Sequence, residues 1–107
     1  MKHVSKLARL GSNVKIGEGS IIEDNVKIGD NVKIGHYTII HENVIIGSNT
    51  FLGDHVVLGE RTQAFYEDPQ AYSNPTLRVG PNSIIRTGSI LYAGTEIGAI
   101  YVPVLIH

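Results

Sequence analysis

Aliphatic residues recur in this chain at every sixth position, and few folds accept that spacing. Leu10, Ile16, Ile22, Ile28, Ile34, Ile40, Ile46, Leu52 and Leu58 keep strict step, and Val79, Ile85, Leu91 and Ile97 resume it after an interruption. Two residues before the aliphatics stand smaller side chains such as Val14, Ser20, Val26, Thr38 and Ser89, and glycine follows most of them. An α-helix needs apolar steps of three and four, which are missing. A step of six fits a short strand with alternating faces and then a turn, where glycine is expected to relieve a strained backbone angle. No single repeat can bury its own apolar side, so stacked coils must cover one another, aliphatic over aliphatic.

This pattern resembles the hexapeptide-repeat family, whose members fold as left-handed parallel β-helices. The likeness runs over residues 8–98 apart from the interruption. It implies an all-β solenoid of about five coils with one extruded loop. The whole of 1–107 then forms a single domain: repeats at about 8–59 and 79–98, a loop at 60–78, and an irregular tail at 99–107. In the tail, Tyr101 falls on the small position and Pro103 on the aliphatic one.

Three hexads per coil, as in that family, put residues 18 apart above one another. Glu18, His36 and Asp54 then share a corner column, with a histidine between two carboxylates. Glu23 and His41 share another; both replace the glycine of their repeats, at a conformational cost if that glycine serves the turn. Asp24, Glu42 and Glu60 make an acidic column, whose charges repel one another and favour a bound cation or a substrate amine, or else simply face solvent. His55 falls over Tyr37. A carboxylate beside an imidazole orients it for general-base work, so His36 and His41 are the candidate catalytic residues. Both also fit outward-facing turn residues.

Between Leu58 and Val79 the chain has fifteen residues more than the repeat requires. This stretch holds Phe65, Tyr66 and Tyr72, three of the seven aromatics, together with Asn74 and Arg78. A polar and aromatic loop on a rigid scaffold is where binding residues concentrate. We expect it to lie against a neighbouring subunit, with Phe65, Tyr66 or Tyr72 as apolar anchors. The candidate substrate-binding set is thus Glu18, Glu23, Glu42, Asp54, His55, Phe65, Tyr66, Tyr72, Asn74 and Arg78.

Composition narrows the function classes. Nine basic residues against ten acidic ones, with no basic cluster, argue against nucleic acid. Without cysteine there is no disulfide and no thiolate metal site. No stretch reads as a membrane span or a secretion signal, so no membrane partner and a cytoplasmic location are expected.

The resemblance also carries a function. Hexapeptide-repeat proteins are mostly acyltransferases, commonly homotrimers with active sites between neighbouring prisms. The segment "EDPQAYSNPTLRVGPNSIIRTGSILYAGTEIG" is most similar to bacterial sugar-nucleotide acetyltransferases. The likeness implies acetyl-CoA as acyl donor, a sugar or sugar nucleotide as acceptor, and no metal. The family histidine falls two residues after a ladder aliphatic, as His36 does, and is often followed by an acidic residue, as His41 is by Glu42. Both stay candidates for the base. Two alternatives remain open. "GHYTIIH" has the histidine spacing of a γ-class carbonic anhydrase, which holds a metal on three imidazoles, and a non-catalytic trimeric scaffold needs neither histidine. The family usually continues for several more coils, so the chain resembles a shortened member.

Overall fold

The structure is a computed structural model that describes residues 1–98 and the strand Tyr101–Val102. Its strands are short, mostly two residues each, because every hexad turns a corner. They are β1 (His3–Val4), β2 (Arg9–Leu10), β3 (Lys15–Ile16), β4 (Ile21–Ile22), β5 (Lys27–Ile28), β6 (Lys33–Ile34), β7 (Ile39–Ile40), β8 (Val44–Ile46), β9 (Phe51–Leu52), β10 (Val57–Glu60), β11 (Leu77–Val79), β12 (Ile84–Ile85), β13 (Ile90–Tyr92), β14 (Glu96–Ile97) and β15 (Tyr101–Val102). The helix among the described residues, α1 (Gln63–Glu67), belongs to the loop.

Every third strand pairs in parallel, giving three five-stranded sheets in the orders β1-β4-β7-β10-β13, β2-β5-β8-β11-β14 and β3-β6-β9-β12-β15. The chain is therefore a parallel β-helix of five coils. The 18-residue register holds throughout the lower coils, as in Ile22 on Ile40 and Ile28 on Ile46. Across the loop it becomes 33, with Leu52 on Ile85, so the ladders resume in step after the fifteen extra residues, and at the loop the register shifts only between Leu58 and Glu60, where the chain leaves the stack. Near the end it changes again. Val102, not Pro103, pairs with Ile85, one residue short of the regular coil. The other tail residues, 99–100 and 103–107, lie outside the described ones, Pro103 included.

The core is the set of ladders. Ile22, Ile28, Ile34, Ile40, Ile46, Leu52, Leu58, Val79 and Ile85 are buried, as are Val26, Val32, Val44 and Val56 from the smaller position. Where that position is hydroxylic, the buried group finds a backbone partner: Ser20 Oγ donates to the Gly35 carbonyl at 2.8 Å and Thr38 Oγ1 to that of Gly53 at 2.9 Å. These bonds tie neighbouring corners together without leaving a polar atom unpaired.

The glycines act differently from the sequence expectation. Gly11, Gly17, Gly29, Gly35, Gly47 and Gly53 do not carry the turn's positive φ. A Cβ at Gly35 would lie 2.6 Å from the carbonyl carbon of Gly53 in the next coil. Glycine is needed there for close approach. The left-handed residue comes three places before most of the aliphatics, and at six of them it is asparagine: Asn13, Asn25, Asn31, Asn43, Asn49 and Asn82 at φ of about 60° (59 to 64). Asparagine tolerates that conformation better than most side chains. Among the described residues no helix is long and apolar enough to cross a membrane.

Candidate active site at the His41 corner

Where β4, β7 and β10 end, their coils turn one above another, and the glycine position holds Glu23 and His41. The cost expected for replacing a strained glycine does not arise, since that position carries no positive φ at residues 23 and 41. What it lacks elsewhere is room. Here the coil above has Gly59, and the chain departs into the loop, so His41 has space for its ring. His41 is set by its backbone N–H, which donates to the Leu58 carbonyl at 2.9 Å.

The imidazole lies between two carboxylates. Its Nδ1 is 3.0 Å from Glu23 Oε1, and its Nε2 is 3.7 Å from Glu60 Oε1. An ionised carboxylate only accepts, so Nδ1 carries the proton toward Glu23 and the Nε2 lone pair is left free. The side chain is 11% exposed, reachable but largely out of water. This is the tautomer and the orientation a general base needs.

His36 has the opposite arrangement. Its Nδ1 accepts from the Glu18 amide at 2.8 Å, while its own amide donates to Asp54 Oδ1 at 2.8 Å. The same bridge recurs at the other corner positions: Ser12 to Asp30, Asp30 to Ser48 and Asp54 to Thr87. His36 is thus one rung of a structural ladder, with its proton held on Nε2. Its carboxylate column-mates do not orient the ring, because Asp54 meets the backbone and the Glu18 carboxylate pairs with the amino group of Met1.

The loop is stapled to this corner. Asn74 is 2% exposed, and its Nδ2 donates to the carbonyls of Glu42 at 3.1 Å and Gly59 at 3.0 Å. Those two carbonyls belong to the coil of His41 and the coil above it. Asn43 Nδ2 in turn donates to the Asn74 carbonyl at 2.7 Å, and Tyr72 Oη donates to Asn74 Oδ1 at 2.5 Å. Asn74 therefore has no group left for a ligand; it fastens the loop. Phe65 and Tyr72 also turn inward, packed edge to face at 5.5 Å, with the Arg61 guanidinium 4.5 Å from the Phe65 ring centre. Both rings remain half-buried. Tyr66, 67% exposed, is the ring left facing out.

Two open grooves meet here. One, of about 680 Å³, runs from β1 past Glu23, Asp24 and Glu42 to Arg61; the other, of about 560 Å³, lies between Glu60, Tyr66, Glu67 and Tyr92 and also reaches Arg61. The family model "Bacterial transferase hexapeptide (six repeats)" matches residues 25–60, the stretch that holds both histidines. A crystal structure of LpxA, a UDP-N-acetylglucosamine acyltransferase from Bacteroides fragilis 9343, superposes with a TM-score of 0.79 at 28% identity over 92% of this chain. Residues 25–60 thus match the hexapeptide-repeat model, and the fold around them is shared with that acyltransferase. The β-helix of this chain is left-handed, as in that match. The chain spans 40% of the length of the LpxA chain. No curated protein matches it.

Of the sequence candidates, the scaffold sets Glu23 against His41 and places Glu42 with Glu23 on the first groove, while Tyr66 lines the second. Glu18, His36, Asp54 and His55 sit at the opposite corner of the first sheet. Arg78 is apart from both, on the outer side of β11, paired with Glu96 at 3.9 Å. Sequence reasoning left out Arg61 and Tyr92. Arg61 shares Glu23 Oε1 with His41 at 3.8 Å, and it was findable, because residue 59 stacks on residue 41 and the loop root must lie beside it. No group of three His, Asp or Glu side chains among the described residues is placed to hold a metal.

Proposed function

We propose that this chain carries the base of an acyl-transfer reaction, with His41 taking the proton of an acceptor hydroxyl or amine. The observation that carries it is the Glu23–His41 pair, which engages Nδ1 and leaves Nε2 without a hydrogen bond, beside two grooves that its carboxylate neighbours Glu23 and Glu60 line. The acceptor oxygen or nitrogen attacks a thioester carbonyl while its proton passes to Nε2. The tetrahedral intermediate collapses, the C–S bond breaks, and the imidazolium returns its proton to the departing thiolate. Glu23 and Glu60 flank the imidazolium while its charge lasts. The donor class is an acyl thioester, acetyl-CoA in the first instance, and the acceptor a sugar or sugar nucleotide. LpxA, by its title, acts on UDP-N-acetylglucosamine, which supports that class.

The working form we propose is a cytoplasmic homotrimer. Support comes from the outward face of the first sheet, where Ile21, Ile39, Val57 and Ile90 stand in one column. The other two outward faces mix such residues with Arg9, Lys15, Lys27 and Lys33. Above His3 at its foot, this aliphatic strip spans four of the five coils and is the face that cyclic closure would cover.

The test is acetyl-CoA turnover against a panel of sugar nucleotides, read as thiol release. His41→Ala should lower the rate by about two to four orders of magnitude. His36→Asn keeps a side-chain acceptor for the Glu18 amide and should stay near the unmodified rate. Full activity in the first variant, or an equal loss in the second, would sink the assignment.

A further inference from the structure

His41 Nε2 and Glu60 Oε1 face each other across 3.7 Å, beyond hydrogen-bond reach, beside the groove that Glu60 lines with Tyr66, Glu67 and Tyr92. Both are acceptors. Nδ1 holds its proton toward Glu23, so Nε2 offers a lone pair, and an ionised carboxylate has no proton to give. Among the described residues no N–H or O–H group donates to either atom. The side chains of His41 and Glu60 are 11% and 32% exposed, so both acceptors are partly shielded from solvent and still unpaired. Such a pair calls for a donor between them. The place is also the one that a nucleophile must occupy to pass its proton to Nε2.

The gap specifies how many protons the donor must carry. An atom about 2.8–3.0 Å from each acceptor sees the two at roughly 80°, which two N–H bonds on one nitrogen serve with modest bending. A hydroxyl has a single proton and leaves one acceptor bare, whereas a primary amine fills both. The local charge agrees. Glu23 and Glu60 flank the ring, Glu67 lines the same groove, and Arg61 is the one Lys or Arg side chain that lines it. That guanidinium is already placed against the Phe65 ring and Glu23. A groove with this excess of carboxylates draws in a cation.

We infer that the acceptor is a primary amine, delivered as an ammonium and acylated on nitrogen, with Glu60 as the second group that receives it. The inference rests on His41 as the base, and it closes the choice between hydroxyl and amine that this base leaves open. The ammonium gives one proton to water as it enters. Its nitrogen then attacks the thioester carbonyl and forms the C–N bond, while one N–H proton passes to Nε2 and the other stays on Glu60. The C–S bond breaks, and the imidazolium returns its proton to the thiolate. The products are an amide, a thiol and one proton in solution.

The test offers acetyl-CoA to the full chain with amino sugars, free and nucleotide-linked, each paired with the sugar that has a hydroxyl in place of the amine. Hydroxylamine treatment sorts the products, since it cleaves O-acyl groups and spares N-acyl ones. N-acylation is expected, with the hydroxyl counterpart slower by about tenfold or more, because it leaves a partly buried acceptor unpaired. Glu60→Gln keeps the size of the side chain, but its amide can donate to Nε2 and occupy the gap from within. It should lower kcat/KM for the amine by about tenfold or more while the His41 tautomer stays as it is. Hydroxyls acylated at an equal or greater rate overturn the inference and leave His41 as the base. Thiol release that needs no acceptor gives the place to water and overturns it as well. If no member of the panel releases thiol, acyl transfer itself fails, and the His41 ring protons are followed by NMR against the same pairs. A saturable shift with the amines alone would then keep the amine site, and its absence would end both readings.

Discussion

Asn31 and Gly35 lie in adjoining turns of the lower coils, and different forces hold each. Asn31 supports φ 59°, whereas Gly35 has no space for a Cβ, which would lie 2.4 Å from Asp54 Oδ1. Asn31→Ala should cost about 1 kcal/mol or more and Asn31→Gly less, because both lose the exposed bond that Asn13 Nδ2 donates to Asn31 Oδ1 at 3.0 Å but only alanine resists the left-handed backbone. Gly35→Ala should cost about 1–3 kcal/mol, since two coils must be pushed apart. Urea unfolding midpoints read all three. The glycine column was plain in the sequence, but periodicity records where a small residue is required and not why. The asparagine column was equally visible, and the tolerance of asparagine for positive φ was the physical clue to it. For the histidines, the column map showed which residues stack but not which atoms meet. His36 has the better family register, yet its Nδ1 is occupied by a backbone amide, as only the side-chain geometry shows.

The loop between β10 and β11 is an element with its own small core and one deep fastening. Asn74→Ala would leave the carbonyls of Glu42 and Gly59 without a donor, and unpaired buried groups cost about 1–3 kcal/mol each. Asn74→Asp should be no better, because a carboxylate has no proton to offer those carbonyls. Thermal or urea unfolding of both variants checks this, with the far-UV circular dichroism remaining that of a β-protein. A variant that loses no stability would mean that the loop is held by other contacts. The place and length of the insertion were legible, since the ladders resume in step at Val79. Its interior was not. A sequence names three aromatics without saying that two of them bury against each other and against Arg61, and no repeat rule applies inside fifteen irregular residues.

At the scale of the molecule, five coils enclose a narrow core, and a small solenoid with two open ends gains from burying a face against copies of itself. Light scattering should give about three times the 11.6 kDa chain mass at micromolar concentration. Replacing Ile39 and Val57 by lysine should yield monomers with an unchanged far-UV spectrum, because both point away from the ladders. A chain that is monomeric before any substitution would remove the trimer from the account. The step of six could be read from spacing, because each ladder residue is constrained by its neighbours above and below; the three hexads per coil, and with them the 18-residue register, the three sheets and the coil count, came from the family resemblance. The last coil could not be read in this way. Only one neighbour constrains it, and Val102 takes the place opposite Ile85 that strict counting assigns to Pro103.

The claim on which the functional account rests is that His41 and His36 hold their protons on opposite nitrogens. Long-range proton–nitrogen correlation spectra of the imidazoles, recorded above the pH where they ionise, measure this without any substrate. The account predicts protonated Nδ1 and bare Nε2 for His41, with the reverse for His36. A His41 that keeps its proton on Nε2 would have no lone pair to offer the groove, and the assignment of the base would be wrong.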